Sequence, residues 1–305
     1  MLKRPVTWLG LLLVASTLLA LGLIWQTRTD AEDSVHDLPL RVGYAVEPPY
    51  VELDAQGRVG GESAEVLRAT LRSIGEPEPV WVRVPFARLI HQLELGRIDV
   101  IAAGLFITPE RSRRVAFSRP TLAVGTALLV ARGNPQRVHA LSDWSGDSDL
   151  KLAVLEGAAE SRQARRHGIA AHRLVRVAEP QDALALLRNG TVAAFALSAP
   201  SLRHLARQNA DVELIVPTDL GDDAEPGLSA FAWRQGDPRL PAFDAALGRY
   251  LGSPSHLKLV QRLGYTQEEV EAAARHVDAP AKAQAIGLRD LRAAGDGQER
   301  AGSQP

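Results

Sequence analysis

Strand and helix signals alternate along this chain in two separate blocks, and that alternation limits the fold more than any other feature. In the first block, residues 40–44, 80–84 and 98–103 read as strands, with helical patterns at 63–73 and 86–94 between them. Val66, Leu67, Thr70 and Leu71 share one face of the first helix, the spacing of a helix packed on one side. Residues 98–103 are apolar without alternation, which suits a strand covered on both faces. After a β-rich stretch at 123–131 the pattern restarts, with strands at 150–155, 174–177 and 191–197 and helices at 158–167 and 182–188. Parallel strands need helical crossovers, so each block implies a parallel sheet and the fold class is α/β. A strand at 228–233 and helices at 241–251 and 256–263 follow. From about Ala274 the chain turns to Ala, Gly, Gln and charge, read as a short helix and a disordered tail.

A length of 305 residues with 46% hydrophobic and 23% charged side chains can bury two cores. The formal net charge of -1 argues against a nucleic-acid groove. Zero cysteines removes disulfides, thiolate nucleophiles and cysteine-based zinc sites. Lys3 and Arg4 precede an uncharged apolar run at 6–25, and acids follow it at 30–37. Charge of that asymmetry directs the remainder outward, whether the run is a cleaved signal peptide or a retained signal anchor. The eight histidines are scattered without zinc spacing, so neither a metal nor any other cofactor is expected. The acid pairs Glu268-Glu269 and Asp222-Asp223 are read as solvated surface.

Chemistry concentrates where the third strand ends. Ligands of open α/β sheets sit outside the carboxyl ends of strands, and Gly104 to Arg111 lies at such an end. Gly104 permits close backbone approach, Thr108 can cap a helix opened by Pro109 and Glu110, and Arg111 projects from its first turn. Amides and a guanidinium together make a seat for a carboxylate held bidentately. Arg113 and Arg114 are read as a surface cluster.

These residues carry a family resemblance. Leu40-Arg41-Val42-Gly43-Tyr44, Pro49-Tyr50, Gly57 with Gly60, Leu95 to Val100, Ile107-Thr108-Pro109-Glu110-Arg111, Val115-Ala116-Phe117-Ser118 and Leu263-Gly264-Tyr265 look like the solute-binding proteins of polar amino acid ABC transporters. The resemblance covers about residues 38–271. It implies a two-lobed venus-flytrap fold of the periplasmic-binding-protein type, with two chain crossovers and a ligand enclosed in the cleft. It also implies that Arg111 holds the ligand carboxylate and that amides around Gly157, in Glu156-Gly157-Ala158-Ala159-Glu160, supplement it. The lobes expected are 38–125 with 219–275 and 126–218, after a signal or tether at 1–37 and before a disordered tail at 276–305.

Departures from the amino acid pattern point to one branch of that family. Ser198 stands where binders of α-amino acids commonly place an aspartate, and a hydroxyl cannot balance a buried ammonium. Glu47, Tyr50, Phe86 and Phe106 match the glutamate and three aromatics of the branch that binds ectoine and hydroxyectoine. Ring faces attract a diffuse cation while Glu47 supplies its counter-charge and Arg111 takes the acid end of a zwitterion. Core packing for each ring, a solvated loop acid for Glu47 and either role for Ser198 remain open on the sequence. The resemblance implies a monomeric, non-enzymatic, exported binding protein that serves an ABC transporter permease. Alternatives are a membrane-anchored ligand sensor, or a dehydratase on the same scaffold using Glu47 or Glu160.

Overall fold

A computed structural model describes residues 39–144, 149–220, 225–287 and 289, so the apolar run at 6–25, Asp222 and Asp223 lie outside the described residues. The first lobe begins with β1 (Arg41–Tyr44), a short hairpin of β2 (Glu52–Leu53) and β3 (Val59–Gly60), and helix α1 (Glu62–Ser73). It continues through β4 (Val80–Arg83), α2 (Leu89–Glu94), β5 (Val100–Ile101), the single turn α3 (Pro109–Ser112) and β6 (Val115–Phe117). β7 (Leu122–Val124) then leads to β8 (Thr126–Ala131) of the second lobe.

That lobe holds β9 (Leu152–Leu155), α4 (Glu160–Arg166), β10 (Leu174–Val177), α5 (Pro180–Arg188), β11 (Ala194–Ser198), α6 (Ala199–Gln208) and β12 (Val212–Ile215). β13 (Gly227–Ser229) returns to the first lobe, where β14 (Ala232–Arg234) and helices α7 (Leu240–Tyr250), α8 (Pro254–Arg262) and α9 (Gln267–Ala274) complete it. The two sheets have matching plans, β4-β1-β5-β14-β6 and β10-β9-β11-β8-β12. In each, the first three strands run parallel and carry the helical crossovers, and the fourth runs antiparallel between the third and the fifth. β7 and β13 pair antiparallel as the two crossovers, with Leu122 opposite Ser229 and Val124 opposite Gly227. The fold is therefore α/β and two-lobed.

Several sequence expectations change on contact with the structure. The strand read at 228–233 is two strands, β13 in the crossover and β14 in the first sheet, because the chain must leave one pairing surface to join the other. α6 and β12 were not expected; Pro200 in the first turn of α6 was the available start signal. Residues 279–287, inside the stretch expected to lack order, are helical, and Ala283 is buried. Glu269 is buried as well, since its carboxylate accepts from Arg203 at 2.7 Å and from the Thr266 amide at 2.8 Å, which closes a capping box on α9.

The first lobe packs one layer of helices on a core of Trp233, Phe231 and Phe243, whose rings meet at 5.1–5.4 Å. Phe243 is fully buried there, so truncation leaves a cavity the neighbouring rings cannot fill. Phe243→Ala is expected to lower the stability of the first lobe by about 3–5 kcal/mol, read as a shifted urea midpoint with an unchanged slope.

Candidate ligand-binding site

The loop after β1 brings the first acid inward. Glu47 and Val51 exchange both backbone hydrogen bonds, at 3.0 and 3.1 Å, so the turn between them is tight and the Glu47 side chain is held at the second lobe. Ser201 of α6 donates to its carboxylate at 2.8 Å, and Ser198 donates to Ser201 at 3.0 Å. Ser198 sits at the N-cap of α6 yet makes no cap bond, because its hydroxyl is committed to Ser201. Glu47 is only 6% exposed, and among the described residues it forms no ion pair. Burial is the main cause that pushes its carboxyl up to about 8; Glu160 adds repulsion, while Ser201 and Arg111 act against the shift.

Arg111 answers it from α3. Thr108 caps that turn, accepting from the Arg111 amide at 3.2 Å, so this backbone N–H is spent and the guanidinium is the part of Arg111 left for an anion. Arg111 is buried, only 6% exposed. It donates to the Phe106 carbonyl at 2.7 Å and, across the lobes, to the Gly157 carbonyl at 2.9 Å. Those bonds use two of five donors, and no carboxylate among the described residues pairs with it. Burial lowers its pKa to about 10, opposed chiefly by Glu160, so it stays charged at neutral pH.

Glycines allow the lobes this approach. Gly157 has φ +82°, and a side chain there would press on the Ala87 backbone of the other lobe, at 2.8 Å from Cα. Gly104 has φ +62°, and the close approach it permits is that of the Tyr50 ring.

The aromatic residues divide by position. Phe86 lines a cavity of about 320 Å³ together with Glu47, and its ring lies 5.9 Å from the Arg111 guanidinium carbon. Phe106 is half-buried and lines a second cavity, of about 180 Å³, with Thr108 and Glu160. Tyr50 is fully buried behind them, edge-on to Tyr265 at 5.7 Å. Its hydroxyl lies near Ser198 without a bond of hydrogen-bond geometry, and burial raises its pKa well above the ordinary phenol value. Thus Glu47, Phe86, Phe106, Arg111 and Gly157 converge on the interlobe seam, while Tyr50, Gly104, Thr108 and Ser198 shape or support it.

Two residues of the seam had no role in the sequence-based carboxylate and cation seats. Ser201 carries the interlobe bond to Glu47, and its signal was its place three residues after Ser198 in a first helical turn. Glu160 is 3% exposed and is the carboxylate that acts most strongly on Arg111.

Residues 40–264 match the family described as bacterial extracellular solute-binding proteins, family 3. The chain is 28% identical over 269 residues to a probable amino-acid ABC transporter periplasmic-binding protein of Sinorhizobium fredii, covering 85% of this chain and 89% of that one. EhuB, solved in complex with hydroxyectoine, is similar with a TM-score of 0.71 and 29% identity, covering 77% of this chain and 91% of its own. An ancestral arginine-binding protein bound to arginine is similar at a TM-score of 0.66 and 24% identity, covering 74% and 98%, which shows the fold alone. With the match running through both lobes, the chain belongs to family 3 of the bacterial extracellular solute-binding proteins, and is a binding protein and not an enzyme.

Proposed function

We propose that the protein is the exported substrate-binding component of an ABC transporter and encloses a small zwitterion, an ectoine-like or hydroxyectoine-like compatible solute or a polar amino acid. One observation carries this reading: a buried guanidinium and a buried carboxylate reach the same interlobe seam, and neither has an ion-pair partner among the described residues. Removing a charge from water costs several kcal/mol unless an opposite charge and hydrogen bonds replace the lost hydration. A zwitterion supplies both partners at once. Arg111 takes the carboxylate with its remaining donors, and Glu47 takes the cation beside Phe86 and Phe106. Tyr50 and Gly104 set the floor of the site, Thr108 fixes the turn that carries Arg111, and Ser198 orients Ser201 against Glu47. The Gly157 carbonyl accepts from Arg111, while the Glu156 and Ala158 amides on either side of it donate to Val177 and Leu155, so that the acid end rests on the guanidinium. The similarity to EhuB supports the cyclic, delocalised cation over a primary ammonium. Closure then follows from contacts made on both walls at once. The apolar run at 6–25 supports export, and N-terminal sequencing of the exported protein distinguishes a free binding protein from an anchored sensor.

A thermal-shift screen of ectoine, hydroxyectoine, glycine betaine, proline betaine and the standard amino acids tests the ligand class. A stabilising shift is expected for the ectoines, since binding to the native state raises apparent stability. Arg111→Ala is expected to cost about 3–5 kcal/mol, which is ~100-fold or more in affinity by calorimetry; an unchanged Kd removes Arg111 from the site. Affinity should also rise with pH. Free Glu47 holds its proton below about 8 and a bound cation drives that proton off. Binding below pH 8 therefore releases a proton, and Kd falls by at most about tenfold per pH unit between 6 and 8, then levels. Glu47→Gln should remove that slope, and a slope that survives the substitution assigns it to another group.

A further inference from the structure

The zwitterion uses Arg111 and Glu47 but leaves a third buried ionisable group unanswered. Glu160 stands in the first turn of α4, 3% exposed, on the wall of the cavity shared with Phe106, Thr108 and Thr126. Its side chain has no ion-pair partner among the described residues. The charged groups around it are Arg111 and Glu110 on α3, Glu47 on the loop after β1, Arg162 and Arg166 on α4, and Glu225 before β13. Arg162 is engaged with Glu110 at 2.6 Å.

Charge balance at the seam is then a matter of counting. One guanidinium faces two carboxyls, so with both acids ionised the buried set has net charge -1. A neutral zwitterion does not alter that sum, and the set is neutral only while one acid keeps its proton. The acid that keeps it is the one the ligand's cation does not touch. A ligand with one carboxylate and two cationic groups brings +1, and neutrality then requires both acids to be ionised.

We propose that Glu160 is a specificity-determining residue that sets the ligand charge the cleft accepts: it stays protonated over a neutral zwitterion and gives up its proton to a compact ligand bearing a second cationic group. The inference rests on the reading of the seam as a zwitterion site. Burial beside the Phe106 cavity is the main cause that raises the Glu160 pKa, against its backbone hydrogen bond and Arg111, and with no ion pair to the carboxylate it favours the protonated form in the first case. The second case brings a cation onto the wall that Glu160 occupies, and the proton leaves to buffer.

Calorimetry of the full chain at pH 7, in buffers of differing ionisation enthalpy, counts the protons released per ligand. Ectoine serves as the zwitterion, and L-ornithine and L-arginine as the monocations. Release for a monocation is expected to exceed that for ectoine by close to one proton. Glu160→Gln, with its melting temperature recorded alongside, should abolish the excess and weaken the monocation by about tenfold or more, while ectoine changes by less than about threefold. Equal proton counts in the wild type overturn the inference without any variant, as does failure to bind either monocation. Equal losses of both ligand classes in Glu160→Gln overturn it too. Monocation binding with the excess proton but no ectoine binding upholds the role of Glu160 and removes the zwitterion reading; no binding of either class removes both.

Discussion

A guanidinium taken out of water between two lobes is the constraint around which this molecule is arranged. Arg111 is anchored by a single capped turn, bonded to a carbonyl of its own lobe and to one from the facing lobe, and flanked by the Phe86 ring. Carbonyl dipoles and a ring face soften the desolvation of a charge without cancelling it. A carboxylate from the protein would have cancelled it and filled the place an anion can take. Glu160 and Glu47 act on Arg111 electrostatically while making no contact with it, so the field favours the charged guanidinium and leaves its free donors available.

The same seam shows how closure is weighted. Away from the centre the lobes meet through Arg83 with Glu179 and Arg162 with Glu110, both at 2.6 Å, and through Arg203 with Glu269 at 2.7 Å. The first two pairs are half-exposed and worth roughly 0–1 kcal/mol each in water. Of the central contacts, Ser201 with Glu47 is buried and Arg111 with Gly157 part-buried, and both tie one lobe to the other. A rim of weak ion pairs around a demanding centre lets a ligand decide how firmly the lobes hold.

Much of the fold was legible because the helical crossovers of parallel sheets leave a repeating pattern. The strands at 80–83 and 174–177 and the helices of the first lobe fall close to where spacing places them. The crossover was harder, since β13 and β14 lie in one apolar run and only tertiary pairing divides them. At the site, Arg111 could be found from strand end, cap and proline alone, and Glu47 needed a comparison with a family pattern. Ser201 and the unpaired state of Glu160 could not be read, because both depend on which residues the second lobe brings across. Glu269 was misread for the same reason: its partner Arg203 is 66 positions away in the chain.

The crossover strand also touches the aromatic wall. Phe106 forms a backbone bridge with Ser229 of β13, and Gly227 of the same strand lies so close to the Phe106 ring that any side chain there would overlap it. The hinge and one face of the cleft are thereby a single lever: bending at β13 must carry the phenyl ring with it. Ring displacement and lobe rotation become one coordinate, so a solute that wedges against Phe106 pushes on the pivot directly.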